Sequence, residues 1–203
     1  VQPVPQKREK GDDRRQAIAL ATRALIAEKG LEGLRTRDIA RRVGINIATL
    51  HYHVPTKEAL IALVAESIRT DFHDQALRQD RSGKNALGLL RLEFADFLEV
   101  IESMPELIIV MTEMMERARR DSVVQQIMAP LHDFWRMQFV EIFQLGIRDG
   151  SFRTDLDPLS AAFITTGALV DSWRQWTSFS APVRPLLAEL ERCFIPQSNV
   201  SQG

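Results

Sequence analysis

Thr36-Arg-Asp-Ile-Ala-Arg-Arg-Val-Gly-Ile-Asn-Ile-Ala-Thr-Leu-His-Tyr-His-Val-Pro-Thr-Lys57 is the stretch whose reading decides the fold. It reads as two short helices hinged at Gly44. Thr36 is placed to cap the first with its hydroxyl, and Asp38 adds negative charge to the first turn, where it complements the macrodipole. Ile39, Ala40 and Val43 fall at helical spacing and make one apolar side, with Arg37, Arg41 and Arg42 off it. Gly44 stops that helix, because a left-handed residue past the last turn costs glycine little. Asn46 then caps a second helix that begins at Ile47. Leu50 joins Ile45 and Val54 as an inward anchor. Ile47, Ala48, His51 and Tyr52 are left on the opposite face, one turn apart in pairs. Pro55 ends the helix, and Thr56 caps the next.

Two helices joined by a short glycine-bearing turn make the helix-turn-helix pattern, whose second helix enters the DNA major groove. Small, aromatic and imidazole side chains flanked by cations suit that task. Short or flat residues approach base edges, and basic ones meet phosphates. An ordinary αα-hairpin with a solvated basic edge is the competing interpretation.

The run Thr36-Arg-Asp-Ile-Ala-x-x-Val-Gly-Ile, followed by Ala48-Thr-Leu-His-Tyr-His-Val-Pro-Thr-Lys57-Glu-Ala-Leu60, resembles the DNA-binding signature of TetR-family transcriptional regulators. The segment from Arg14 to Gly30 is similar to that family's first helix and its glycine exit. Further on, Gly150-Ser-Phe-Arg-Thr-Asp-Leu-Asp-Pro158 resembles part of the family's more variable effector domain. Position by position, the resemblance implies backbone contacts from Thr36 and Arg37. It puts Ile47, Ala48, Thr49 and His51 toward base edges and Tyr52, His53 and Lys57 in a phosphate clamp, with the capping Asn46 counted among the DNA-binding residues. Ile47 and Ala48 have no hydrogen-bonding side chain, so they suit thymine methyls. Two positions depart from the family's usual pattern. His51 stands where an aromatic residue, often Tyr, is usual, and Val54 where Phe is usual.

Charge follows the same division. Residues 1–55 hold eleven Lys and Arg against six Asp and Glu, whereas the remainder holds fifteen against twenty-one. A basic front on an acidic body is expected when only the front meets a polyanion. The expected domains are a disordered basic arm over 1–11, a helix-turn-helix DNA-binding domain over 12–56, a ligand-binding and dimerisation domain over 57–195, and a disordered tail over 196–203. The fold class is all-α, with about nine helices, by the usual periodicity and capping signals.

In chain order, Asp12 or Asp13 is expected to cap helix 1, which carries Ile18, Ala21 and Leu25 on one face and ends at Gly30. A long helix from Thr56 to about Ala76 is the natural lever between the two domains. Asn85 is available to cap the next helix, and Pro105 fits the first position of the one after. Pro130 is expected to kink or restart the helical stretch 122–147, and Gly146 and Gly150 to end it. Asp157 and Pro158 mark a strong helix start. Leu159, Phe163, Thr166, Val170 and Trp173 then recur at coiled-coil-like spacing. Cys193 is expected to be a small buried hydrophobe.

The second half is rich in aromatic and methionine side chains. Phe94, Phe97, Met111, Met115, Phe134, Trp135, Met137 and Trp173 are the candidate lining of an effector cavity, with Glu93, Glu113 and Arg136 as possible polar anchors; plain core filling is the alternative for each. TetR-like proteins keep an inducer pocket among their middle helices and pair their last two helices across a twofold axis. The resemblance therefore implies a small-molecule effector and a homodimer, with Leu159, Phe163, Thr166, Val170, Leu187 and Leu190 at its interface. Recognition of two half-sites about 34 Å apart fits that symmetry.

Histidines 51, 53, 73 and 132 show no metal-ligand or nucleophile-elbow spacing, so no catalytic residue, metal or cofactor is expected. No apolar run reaches the roughly 18 to 20 residues that a membrane span requires. The N-terminus has no apolar signal-peptide core, and a cytoplasmic, nucleoid-associated protein is expected. The expected function is a ligand-responsive repressor of a palindromic operator; an activator or corepressor-dependent regulator of the same fold is the alternative.

Overall fold

A computed structural model of the chain describes residues 6–176 and 183–196. These form nine α-helices and no strand among the described residues: α1 (Gln6–Lys29), α2 (Thr36–Val43), α3 (Ile47–His53), α4 (Lys57–Arg78), α5 (Ala86–Ser103), α6 (Pro105–Ala118), α7 (Ser122–Asp149), α8 (Pro158–Trp176) and α9 (Val183–Phe194). The all-α expectation holds. Helix α1 starts at Gln6, before the expected cap at Asp12 or Asp13, so residues 6–11 are helix and not a disordered arm. Gln, Lys, Arg and Glu are good helix formers, and a lone glycine such as Gly11 subtracts only about 1 kcal/mol. The rest of the arm, residues 1–5, and the tail from 197 lie outside the described residues.

The chain divides into two compact units: one comprises the residues up to Asp74 with Pro105–Leu131, the other Gln75–Met104 with the residues from His132. This differs from the expected break between 56 and 57, because α6 packs on α1. Helices α4 and α7 contribute to both units.

In the first unit α1 is the central support, with Ile18, Ala21, Leu25 and Ile26 buried. Both α2 and α6 pack against it. Polar ties fix the surroundings. Arg23 donates to Asp71 of α4 at 2.5 Å, and the Glu113 carboxylate of α6 accepts the Leu31 N–H at 2.9 Å. Four residues further along α6, Arg117 reaches Glu32 at 2.7 Å. Glu113, expected as a ligand anchor, therefore serves the loop between α1 and α2.

In the second unit the core is aromatic. Phe143 packs edge-on against Phe194 at 4.7 Å between ring centroids and lies 5.4 Å from Phe152. Each aromatic ring carries a large hydrophobic area, and such edge-on pairs add about 0.5–1.5 kcal/mol beyond burial. The caps at Asn85 and Asp157 form as expected, through Gly88 N–H at 2.9 Å and Ser160 N–H at 2.8 Å. Glu93 is buried and paired with Arg81.

Three local expectations are corrected. Helix α7 is a single helix with Pro130 inside it, so the proline does not start a new helix. Gly146 lies inside α7, and only Gly150, at φ +79°, ends it. Cys193 is exposed, because the inner stripe of α9 is Val183, Leu187, Leu190 and Phe194.

The reason for glycine at 146 is contact. A β-carbon there would be driven into the Phe152 ring, which is fully buried and wedged beside Phe143. Gly146→Ala is expected to lower stability by about 1–3 kcal/mol or more, as overpacking does, read as a fall in the chemical denaturation midpoint without a change in slope.

Candidate nucleic-acid interface

The geometry begins at Gly44, whose φ of +73° is left-handed and whose N–H returns to the carbonyls of Ala40 and Arg41. Ile45 N–H closes the same turn on Ala40 at 2.9 Å. The Asn46 side chain then accepts the Thr49 N–H at 2.7 Å and starts α3 as expected. The Thr36 cap does not form. Arg35 takes the cap position in extended conformation with no side-chain bond, and Thr36 is the first helical residue. The backbone carbonyl of Arg35 receives Asp38 and Ile39 N–H instead, which leaves Thr36 exposed.

Only Leu50 of α3 is buried, and Val54 follows it inward. The rest of that short helix is turned outward. Tyr52 is 85% exposed and Ile47 42%, while Ala48 and His51 are exposed and Thr49 and His53 half-buried. The rings of Tyr52 and His53 meet edge-to-face at 5.2 Å. Lys57 is exposed at the first position of α4, whose start is capped by Thr56 through Ala59 N–H at 3.1 Å. The structure therefore brings Asn46, Ile47, Ala48, His51 and Tyr52 onto one accessible surface at α3. Thr36 and Arg37 are exposed at the start of α2.

Neighbouring cations are not equivalent. Arg42 is committed to Glu28 at 2.8 Å, and that partner raises the arginine's pKa while the arginine lowers the carboxylate's. Lys29 binds Asp38 at 2.9 Å and holds its carboxyl below the usual value. Arg41, with its side chain 80% exposed and a long 3.4 Å contact to Asp38, stays accessible beside Arg37. Sequence reasoning missed Arg15, whose Nη1 donates to the His53 carbonyl at 3.1 Å. Nothing in local spacing links residues 38 apart, although Pro55 does signal that a donor is missing there.

Residues 18–64 match the family model described as bacterial regulatory proteins, tetR family. The chain belongs to the TetR family. It is 23% identical over 147 residues to the HTH-type transcriptional repressor KstR2 of Rhodococcus jostii, covering 71% of this chain and 70% of that protein. With the tetracycline repressor protein class D of Escherichia coli the identity is 38% over 63 residues, confined to 31% of this chain and 29% of that repressor. A TetR transcription regulator from Haloarcula marismortui shares the fold at TM-score 0.77 and 19% identity, over 91% of this chain and 100% of that one. The TetR-family chain is thus a DNA-binding transcriptional regulator. No helix among its described residues is long and apolar enough to cross a membrane.

The expected effector residues fall into separate places. Met111 is buried and Met115 half-buried in the first unit. In the second, Phe94, Phe97 and Trp173 are buried, with the Phe97 and Trp173 rings 6.4 Å apart, and Trp135 packs on Phe139. Phe134 and Met137 are exposed, on the outer side of α7. A cleft of about 250 Å³ between α7 and α8 is lined instead by His132, Arg136, Phe163, Thr166, Val170 and Arg174, among others. Arg136 lies over the Phe163 ring at 4.3 Å, its Nη2 2.6 Å from His132 Nδ1. Burial, and then the charge of Arg136, push His132 below the usual imidazole pKa.

The expected dimer residues also divide. Leu159 and Phe163 are about half exposed, at 50% and 52%, and Val170 is partly so. Thr166, Leu187 and Leu190 are buried within the chain itself, which corrects their assignment to a partner surface. Helical spacing marks an apolar stripe but does not say whether the stripe meets its own chain or another.

Two outcomes test this geometry. Asn46→Ala is expected to cost about 1 kcal/mol of thermal stability, because it leaves the Thr49 N–H without its acceptor. The lowered pKa values of Glu28 and Asp38 mean their ion pairs contribute fully above the ordinary carboxylate values of 4.5 and 3.8 and are lost as pH falls below them. Asp38→Asn is therefore expected to flatten the acid side of the stability profile, measured as melting temperature against pH.

Proposed function

We propose that this TetR-family chain is a ligand-responsive repressor that binds a palindromic operator as a homodimer in the cytoplasm and is released by a small, largely apolar effector. The observation that carries the DNA-reading part is the outward face of α3: Ile47, Ala48, His51 and Tyr52 exposed on a helix anchored inward only by Leu50. In this reading Ile47 and Ala48 meet thymine methyls, Thr49 and His51 reach base edges, and Tyr52, His53, Lys57 and Arg37 meet phosphates. Two of the relatives bear the name repressor, which favours repression over activation.

Dimerisation is supported by the α8 surface. Leu159, Phe163 and Ile164 are large apolar side chains left exposed by the single chain. A second copy covering them would bury area worth about 25 cal/mol per Å² and set two α3 helices against two half-sites. Effector binding in the second unit then acts as a population shift: the ligand prefers a state in which the two α3 helices no longer match the operator, with coupling of about 1–3 kcal/mol. Helix α4, which contributes to both units, is the proposed transmitter.

Selection of bound genomic fragments, followed by salt-dependent binding to the winner, tests the core of this reading; weak, sequence-blind binding would refute it. Lys57→Ala should weaken binding to all sequences alike and make the salt slope shallower by about one. His51→Ala should relax preference at one operator base, and a variant binding every operator base variant as the parent does would end its readout role. Phe163→Arg should convert the dimer to a monomer in sedimentation and abolish tight operator binding, whereas an unchanged sedimentation coefficient would remove α8 from the interface.

A further inference from the structure

We infer that Arg15 is a positioning residue for sequence reading, acting through the C-terminal end of α3. The inference rests on the reading of α3 as the DNA-contacting helix. Helix α3 has seven residues, Ile47–His53. Isolated helices shorter than about 12–15 residues are marginal in water, so the ends of this one must be held by other parts of the chain. Its first turn is held by the Asn46 side chain. At the other end Val54 N–H satisfies Leu50 at 2.8 Å, but the donor that would next serve His51 belongs to residue 55, which is proline and has none. Three carbonyls, those of residues 51 to 53, thus reach the end of the helix without the usual succession of donors.

Arg15 enters there. Its Nη1 donates to the His53 carbonyl at 3.1 Å from α1, 38 residues earlier in the chain. A guanidinium at this end also complements the negative end of the helix dipole. Helix α1 is rigidly set, with Ile18 and Ala19 fully buried one turn further on. Arg15 therefore ties the orientation of the outward α3 face to the most firmly packed helix of its unit. The alternative role for an exposed arginine here is a direct phosphate contact, and the two roles make different demands. A phosphate contact acts on all DNA alike and changes the salt slope. A hold on α3 acts on the free protein and on discrimination.

The experiment compares the full chain with Arg15→Ala and Arg15→Lys. In the free protein, amide exchange at Leu50 and Val54 is expected to quicken about threefold or more in Arg15→Ala, to recover in part in Arg15→Lys, and to be unchanged in α8. With DNA, the ratio of selected-site to random-sequence affinity is expected to fall about three- to tenfold in Arg15→Ala, the effect of losing one charge-assisted hydrogen bond, while the salt slope stays as in the parent. A slope shallower by about one, with the ratio and the free-protein exchange unchanged, would make Arg15 a phosphate contact and overturn the proposal. Unchanged exchange in α3 would overturn it as well. Should the parent chain select no site, the reading of α3 would fail, and with it any role of Arg15 in discrimination; the exchange comparison would still report separately whether the arginine holds the helix. If Arg15→Ala does not fold, Arg15→Lys alone decides, because it keeps the charge while losing the planar fork.

Discussion

A helix of seven residues is too short to define its own direction, and the outward face of this protein depends on such a helix. Helix α3 contributes a single fully buried side chain, Leu50. Its orientation therefore comes from what grips it: the left-handed Gly44 and the Asn46 cap at one end, Val54 and Arg15 at the other. Every side chain turned outward is free of packing duty for that reason. The arrangement gives a surface whose residues can be chosen for a partner while the fold is maintained elsewhere, by α1, α2, α4 and α6.

The same logic governs charge. Of the basic residues on α2, Arg42 is held by Glu28, and Lys29 at the end of α1 is held by Asp38. These pairs are exposed and contribute little to stability, since water screens them. Their effect is to select which cations remain available. Arg37, Arg41 and Lys57 stay accessible around α3, so the positive front of the chain is narrower than its composition suggests. In the second unit a carboxylate also holds an arginine, Asp133 accepting from Arg136 Nη1 at 3.1 Å. Arg136 is drawn down over Phe163 and beside His132, and its Nε is buried without a hydrogen-bond partner among the described residues. That leaves the cleft between α7 and α8 with one buried, unpaired N–H of an otherwise partnered arginine, next to an apolar surface that the single chain does not cover.

Much of the helix-turn-helix is legible in the sequence, because its signals are local. Glycine at 44, asparagine at 46 and proline at 55 each do one backbone job within a turn of where they stand. Thr36 marks the limit of such signals. A hydroxyl before a helical run is a cap signal, but the preceding Arg35 adopts the extended cap conformation and its carbonyl takes both nearby donors. The first helix also extends further than its proline- and charge-rich start suggests, since charged long side chains favour helix as readily as they favour solvent.

The second half is legible as elements but not as a site. Composition marks Phe94, Phe97, Phe134, Met137 and Trp173 alike, yet the fold buries three of them and turns Phe134 and Met137 outward. Leu187 and Leu190 likewise read as a partner surface and serve the chain's own core. What the sequence by itself determined was whatever depends on neighbours within a few residues: helix starts and stops, the left-handed turn, and the set of side chains on each helix face. Tertiary structure alone decided which of those faces meet and which stay open. It also placed Arg15 at the end of α3 and Glu113 at the exit of α1. Such contacts join residues 38 and 82 apart in the chain. Their formation depends on how whole helices pack, and no periodicity records that.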